Sequence, residues 1–380
     1  MTREKLGLYA LICLGCLTIS FNVAVISAIV PVISEDLMRT KFEVARIIPY
    51  YLVPYGFAAL LYAPLVSRFR FRTVYVGMMG LFGLACLICA RAGSLEAMLC
   101  GRILMGVTAA GAIPMGLIII GDHFEKRIRG RLVGIFFSHA FVASILGLIV
   151  GGVMPWRLIF YIPAGLGVAV AAGFGLYRSG LLDCSHAGHT DYLHALRKSE
   201  ILRVFLFIFC LSFLYHGVHK WYGVYLDQVY GFDQLTINMF VVLTVVMGMI
   251  GQVCGGFLSD LKGRAFTLRV GVTGLALSIM ALLGTYGSVM LAAVLGLIAL
   301  FWTIGHNGIS TILTDFTDED RPVIAGLNSS VRFISGGMGF ILSKPFVSLN
   351  FGRTFFVFGC LAFLLSWMVP RIIPQGMKTS

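Results

Sequence analysis

Charge is scarce in this chain, and acidic charge is scarcest. Only 12% of the 380 residues are Asp, Glu, Lys or Arg, where an ordinary soluble domain carries about 25%. Aspartate and glutamate number 17 against 29 lysines and arginines. None of the acids stands at the centre of an apolar segment: Glu35, Asp36, Asp122, Asp227 and Asp315 all lie near segment ends. A large water-facing surface is thereby excluded, and so is a binding site built on a buried carboxylate. The chain also lacks G-x-S-x-G, a Walker loop, a dinucleotide fingerprint and a zinc-binding helix motif, so nothing points to an enzyme or to ATP-driven work. Cysteine is present but forms no framework. Eight of the nine cysteines lie in apolar segments, and Cys184 lies in a polar stretch. Cys13/Cys16 and Cys86/Cys89 share a helix face by spacing, yet no further ligands accompany them. They read as small packing residues, and neither metal nor cofactor is expected.

What the chain has in abundance is apolar length. Apolar residues make up 58% of it. Hydrocarbon offers no partner to backbone N–H and C=O groups, so a spanning helix needs roughly 20 mainly apolar residues. Twelve such segments are predicted, at about 6–34, 43–66, 72–92, 95–121, 131–154, 157–177, 202–227, 235–258, 266–285, 287–313, 322–347 and 351–370. The first follows Arg3 and Lys5 but is too long for a signal-peptide core, and it reads as a retained span. The polar stretch Arg178–Arg203 divides the segments six and six. The expected organisation is an N-terminal six-helix bundle over 1–177, a cytoplasmic linker over 178–201 and a C-terminal six-helix bundle over 202–380. With the N-terminus inside, cytoplasmic loops and tails hold nineteen lysines and arginines against six outside. That bias fixes both termini in the cytoplasm. The net charge of +12 therefore expresses membrane orientation rather than nucleic-acid binding.

The two halves repeat one another. The stretch around Ala63, Leu65 and the basic turn Arg68–Arg72 returns around Gly256, Leu258 and Arg264, with Ala63 and Gly256 193 positions apart. Arg129 and Gly134 return as Arg321 and Gly326, Ser138 as Ser330 and Gly147 as Gly339, each 192 positions on. Two parallel six-helix halves are the layout of a transporter.

Four motifs carry a family resemblance. Gly256-Phe-Leu-Ser-Asp260-Leu-Lys-Gly263-Arg264 resembles the G-x-L-a-D-r-x-G-r loop of the major facilitator superfamily. The first-half copy is degenerate, with Ser67 at the aspartate position beside Arg68. Arg102-Ile-Leu-Met-Gly106 resembles the family's fourth-helix motif. Gly147-Leu148-Ile-Val-Gly151-Gly152 is similar to its antiporter motif, with leucine for proline. Trp156-Arg157-Leu-Ile-Phe160 matches the opening of helix 6 in the drug:proton antiporter branch and its relatives. The resemblance implies an all-α membrane fold of twelve helices in two pseudo-symmetric bundles. It also implies alternating access about a central site lined by helices 1, 4, 7 and 10. It gives Ser67, Arg68, Asp260, Gly263, Arg264, Gly147, Gly151 and Gly152 gating and helix-contact roles.

The cargo is read from ionisable residues inside the spans, since each costs about 2.5–3.5 kcal/mol to insert. They are Arg102, His139, His216, His219, Lys220, His306, Arg332 and Lys344, and all are cations or histidines. The expected cargo is therefore an anionic small molecule, such as an organic acid or a carboxylate metal chelator of the siderophore type. Candidate binding residues are Asn22, Arg102, His216, His219, Lys220, Trp221, His306, Asn307 and Arg332. Candidate proton carriers are His216, His306 and Arg102, because histidine titrates near neutrality. The expected assembly is a monomer in the bacterial inner membrane, whose partners are its substrate, protons and lipid. Two alternatives stay open: a multidrug:proton antiporter exporting hydrophobic compounds, and a receptor or assembly factor that keeps a transporter fold without transporting.

Overall fold

The computed structural model describes residues 3–177, 192–314 and 321–372; residues 178–191 of the expected 178–201 linker and the expectation for Asp315 lie outside the described residues. All regular structure in the described residues is helical; each of the twelve stretches the hydropathy predicts is helical, and a short further helix, Tyr192–Arg197, lies in the predicted linker. Spans 3, 5 and 6 are the single helices Phe71–Arg91, Lys126–Val153 and Leu158–Leu176. Spans 8 to 12 are Gln234–Lys262, Arg264–Ala281, Ser288–Thr314, Arg321–Val347 and Phe351–Ser366.

The other four spans are broken. Span 1 runs as Arg3–Ser20, Val25–Ala28 and Val30–Asp36, with Asn22 in the first break. Span 2 includes Pro49–Ala59 and Tyr62–Arg68; Pro64 has no N–H to return to the Leu60 carbonyl, and the helix parts there. Span 4 divides into Leu95–Ala109 and Ala112–His123 for the same reason, Pro114 leaving Ala110 without a donor. Span 7 divides into Ser199–His219 and Tyr222–Tyr230 with no proline to account for it.

Among the described residues nine helices are long and apolar enough to cross a membrane by themselves, and Phe351–Ser366 is a shorter apolar one. The remaining two stretches are the broken span 2 and span 11, which carries Arg332 and Lys344.

The chain forms two compact units. One holds residues 1–190 together with 233–238, the other residues 191–232 and 239–380. Each uses the same helix pairings. In the first, span 1 packs on spans 5 and 6, and span 3 on spans 4 and 6. In the second, span 7 packs on spans 11 and 12, and span 9 on spans 10 and 12.

The repeat extends to single contacts. A Cβ on Gly147 would collide with the Phe21 carbonyl, and one on Gly339 with the Phe213 carbonyl. Both members of the pair are displaced by 192 residues. Span 1 and span 7 thus touch their partners backbone to backbone at one equivalent place, where only glycine fits.

Candidate functional site

Within the second unit, spans 7, 10 and 11 converge on a group of rings and cations. Helical spacing does the sorting. Tyr215, His216 and His219 fall along one side of span 7, and Trp302 and His306 are one turn apart on span 10. Asn328 and Arg332 have the same spacing on span 11. Close approach of spans 7 and 11 at Gly339 brings His216 over Gly336, whose missing side chain leaves room for the imidazole.

His216, Trp302, His306, Arg332 and Phe333 line a cavity of about 200 Å³. The Trp302 indole lies flat on Tyr215 with centroids 3.9 Å apart and planes within 3°. His219 stacks on Tyr215 at 5.0 Å. His216 stands edge-on to Trp302 at 5.7 Å, and His306 is tilted against it at 6.0 Å. Ser310 Oγ lies 3.4 Å from His306 Nδ1.

Arg332 is aimed by its neighbour: Nε donates to Asn328 Oδ1 at 2.6 Å, while Nη2 is buried with no partner among the described residues. His216 Nδ1 and His219 Nδ1 are likewise buried without a described partner. A guanidinium fixed at one edge and open at the other is arranged to receive an acceptor.

The structure gathers three of the residues picked from sequence, His216, His306 and Arg332, around that cavity. The others lie elsewhere. Lys220 is buried at the break of span 7. His219 packs between Tyr215 and Tyr222. Trp221 does not face the cavity: it is fully buried, stacks on Phe340 at 4.1 Å and donates to Ser343 Oγ at 2.8 Å. Its role there is to fasten span 7 to span 11. Asn307 turns to span 8, where Nδ2 donates to the Gln252 carbonyl at 3.2 Å.

In the first unit, Arg102 braces span 4 against span 2. Its Nε donates to the Ile47 carbonyl at 2.9 Å, and its guanidinium lies over the Tyr51 ring at 4.4 Å. Asn22 is fully buried in the break of span 1, and neither amide atom has a partner among the described residues.

The motif positions also find physical roles. Gly263 adopts φ +83° between spans 8 and 9, a conformation only glycine takes without strain. Asp260 lies inside span 8, on its exposed last turn, instead of in a loop. Arg264 opens span 9, and Arg68 is exposed at the end of span 2. Ser67 belongs to helix Tyr62–Arg68, with its side chain outside the described set. Gly151 lies against Val25 and Ile29, and Gly152 against Leu235 and Asn238. Asn238 in turn donates to the Leu148 carbonyl at 2.6 Å. Arg157 pairs with Asp36 at 2.8 Å and covers Trp156 at 4.3 Å.

Trp302, Phe333, Tyr215 and Asn328 were not foreseen. The one signal was the four-residue interval between Trp302 and His306, which puts the indole on the histidine's face.

The sequence profile of the Major Facilitator Superfamily matches residues 12–340. The chain belongs to that superfamily. This transporter family accounts for the duplicated bundles, and no enzyme family is indicated. The YwfA MFS-type transporter of Bacillus subtilis is 24% identical over 84% of this chain and 81% of its own. Multidrug resistance protein MdtL of Klebsiella pneumoniae is 26% identical over 80% and 79%. A methylenomycin A resistance protein of Streptomyces coelicolor is 31% identical, but over only 40% of this chain and 33% of its own. Among solved structures, a bacterial homologue of the human lysosomal transporter Spinster superposes with TM-score 0.80 at 15% identity, covering 98% of each chain. A D-xylose–proton symporter gives TM-score 0.77 at 14% identity, over 97% and 98%. At such identities the likeness is one of fold.

Proposed function

We propose that this superfamily member moves a small organic anion across the bacterial inner membrane by alternating access, with protons carried by His216 and His306. The observation that carries the reading is the open edge of Arg332 beside two histidines, in a cavity whose described lining holds no carboxylate. A buried guanidinium is costly without an acceptor, and a carboxylate on the cargo supplies one. Coupling follows from Coulomb's law. A proton on His216 or His306 attracts the anion, and by reciprocity the anion favours the proton. The nineteen-to-six charge bias supports cytoplasmic termini. A monomer suffices for such a cycle.

The test is transport into proteoliposomes under an imposed pH gradient, with small organic acids as cargo and lumenal contents measured by mass spectrometry. The parent protein is expected to accumulate an acid only with the gradient, and Arg332→Gln to lose that activity. Equal uptake by Arg332→Gln would dismiss the anion site. Uptake indifferent to the gradient would dismiss the coupling.

A second reading is export of hydrophobic compounds. It draws on MdtL and the methylenomycin resistance protein, whose names concern resistance, and on the glycine motif of span 5. Cells expressing the protein would then extrude hydrophobic cationic dyes, and charge removal at Arg332 would not lower that extrusion.

A further inference from the structure

The lining of the second-unit cavity says more about the cargo than its charge. Four of the five lining residues carry rings: His216, Trp302, His306 and Phe333. The fifth is Arg332. An aliphatic acid needs only apolar walls, and leucine, isoleucine and valine are abundant in these spans. Rings were placed here instead.

The rings are also held. Tyr215 covers one face of Trp302 in a nearly parallel stack, and His216 stands across its edge at 75°. An indole fixed in this way is a rigid platform and loses little rotamer entropy when something lies against it. Asn328 fixes the guanidinium in the same manner by taking Nε and leaving Nη2 open. Rigid rings and an oriented planar cation are joined in a space of about 200 Å³.

We propose that the cargo is a planar aromatic monocarboxylate of one or two rings, its carboxylate on Arg332 and its ring among Trp302, His216 and Phe333. This rests on the anion reading above and narrows it. Planarity matters because offset and edge-to-face ring contacts add to simple burial, by roughly 0.5–1.5 kcal/mol each. A guanidinium with Nε already bound receives a carboxylate at its far edge. One guanidinium with an unpaired Nη2 matches one carboxylate; a dicarboxylate would leave its second charge without a matching cation among the lining residues.

The experiment uses purified full-length protein in nanodiscs and isothermal titration with four probes: benzoate, cinnamate, cyclohexanecarboxylate and benzamide. Cyclohexanecarboxylate keeps the charge and approximate size but loses the flat ring; benzamide keeps the ring but loses the charge. Benzoate or cinnamate is expected to bind about fivefold or more tighter than cyclohexanecarboxylate, as one ring contact would give. Benzamide is expected to bind far more weakly than either acid. Trp302→Leu should erase the difference between aromatic and saturated acids while leaving both bound. Arg332→Gln should abolish binding of both.

Equal binding of benzoate and cyclohexanecarboxylate by the parent overturns the aromatic proposal and leaves the anion reading intact. Benzamide binding as well as benzoate, with Arg332→Gln unaffected, overturns both. Circular dichroism and monodispersity of each variant separate lost binding from lost folding. Should Trp302→Leu fail to fold, Trp302→Phe should retain part of the preference, and complete insensitivity of the preference to that change would count against the platform.

Discussion

The two halves of this chain share a scaffold and differ in what they hang on it. Moving back 192 residues from the second-half cavity, His216 becomes Ala24, Trp302 becomes Ala110, His306 becomes Pro114 and Arg332 becomes Ala140. The backbone contacts around these positions survive the shift, as Gly147 with Phe21 and Gly339 with Phe213 show. Duplication has therefore kept the helix packing and let the chemistry diverge. On the proposed anion reading, recognition chemistry is concentrated in one half, whereas the first half supplies small and apolar residues at the matching places. Its own buried cation, Arg102, serves another purpose: its hydrogen bond goes to the Ile47 carbonyl and its face to Tyr51. Arg332 keeps an edge in reserve.

Neutralising each arginine should break that contrast most visibly. Arg332→Gln is expected to lower proton-driven acid uptake by about a hundredfold, the scale on which truncating one member of a buried charged contact acts. Its thermal stability in detergent should hold or rise, because an incompletely compensated buried charge is removed. Arg102→Gln should do the reverse. Losing a charged hydrogen bond and a cation–π contact costs about 2–4 kcal/mol, which lowers the melting temperature by roughly 2–5 °C. The acid's binding constant in the surviving folded fraction should stay near the parent's. A stable Arg102→Gln protein that no longer binds acid would return Arg102 to the candidate site and end this division of labour.

The shared scaffold can be tested at its two equivalent contacts. Gly147→Val and Gly339→Val each drive a side chain into a backbone carbonyl, which cannot rotate aside. Overpacking of this kind costs about 1–3 kcal/mol, and the two variants should be destabilised to within about 1 kcal/mol of one another in thermal unfolding. A large asymmetry would mean that the repeat is preserved in sequence but not in mechanics. Gly339→Val should also cost acid binding, because span 11 carries Arg332 past the same contact. Gly147→Val should not.

How far this was legible beforehand follows from which physical signal each residue emits. Spans are loud, since hydrocarbon demands long apolar runs, and twelve were read with ends shifted by a few residues. Lone cations inside spans are nearly as loud, which is why His216, His306 and Arg332 stand out in the sequence. Aromatic residues inside spans are quiet. Trp302 and Phe333 look like ordinary lipid-facing or core residues until a third helix sets a cation beside them. Trp221 misled for the same reason, being next to Lys220 in sequence yet turned to Ser343. The partner of Arg102 is silent in the sequence, because its motif position says nothing of which neighbouring helix offers a free carbonyl. Breaks were partly legible: Pro64 and Pro114 announce theirs, but the interruptions at Phe21–Ala24 and Lys220–Trp221 have no comparable marker.

The smallest effect tests the finest part of the contrast, the aiming of Arg332 by Asn328. Its first-half counterpart is Phe136, so this hydrogen bond belongs to the second half alone. Asn328→Ala removes one charged hydrogen bond but leaves the guanidinium in place. If aiming is the role of Asn328, KM for the acid should rise about three- to fivefold, near the 1 kcal/mol typical of a single net hydrogen bond. Asn328→Asp discriminates aiming from filling. An aspartate would hold Nε at least as well as asparagine, but it brings a carboxylate that neutralises Arg332 internally. A pure positioning role that ignored charge would leave Asn328→Asp equal to the parent. An electropositive cavity kept for an incoming carboxylate requires Asn328→Asp to bind acid less well than Asn328→Ala, by about tenfold, since the substrate must then compete with a carboxylate already tethered beside its only guanidinium.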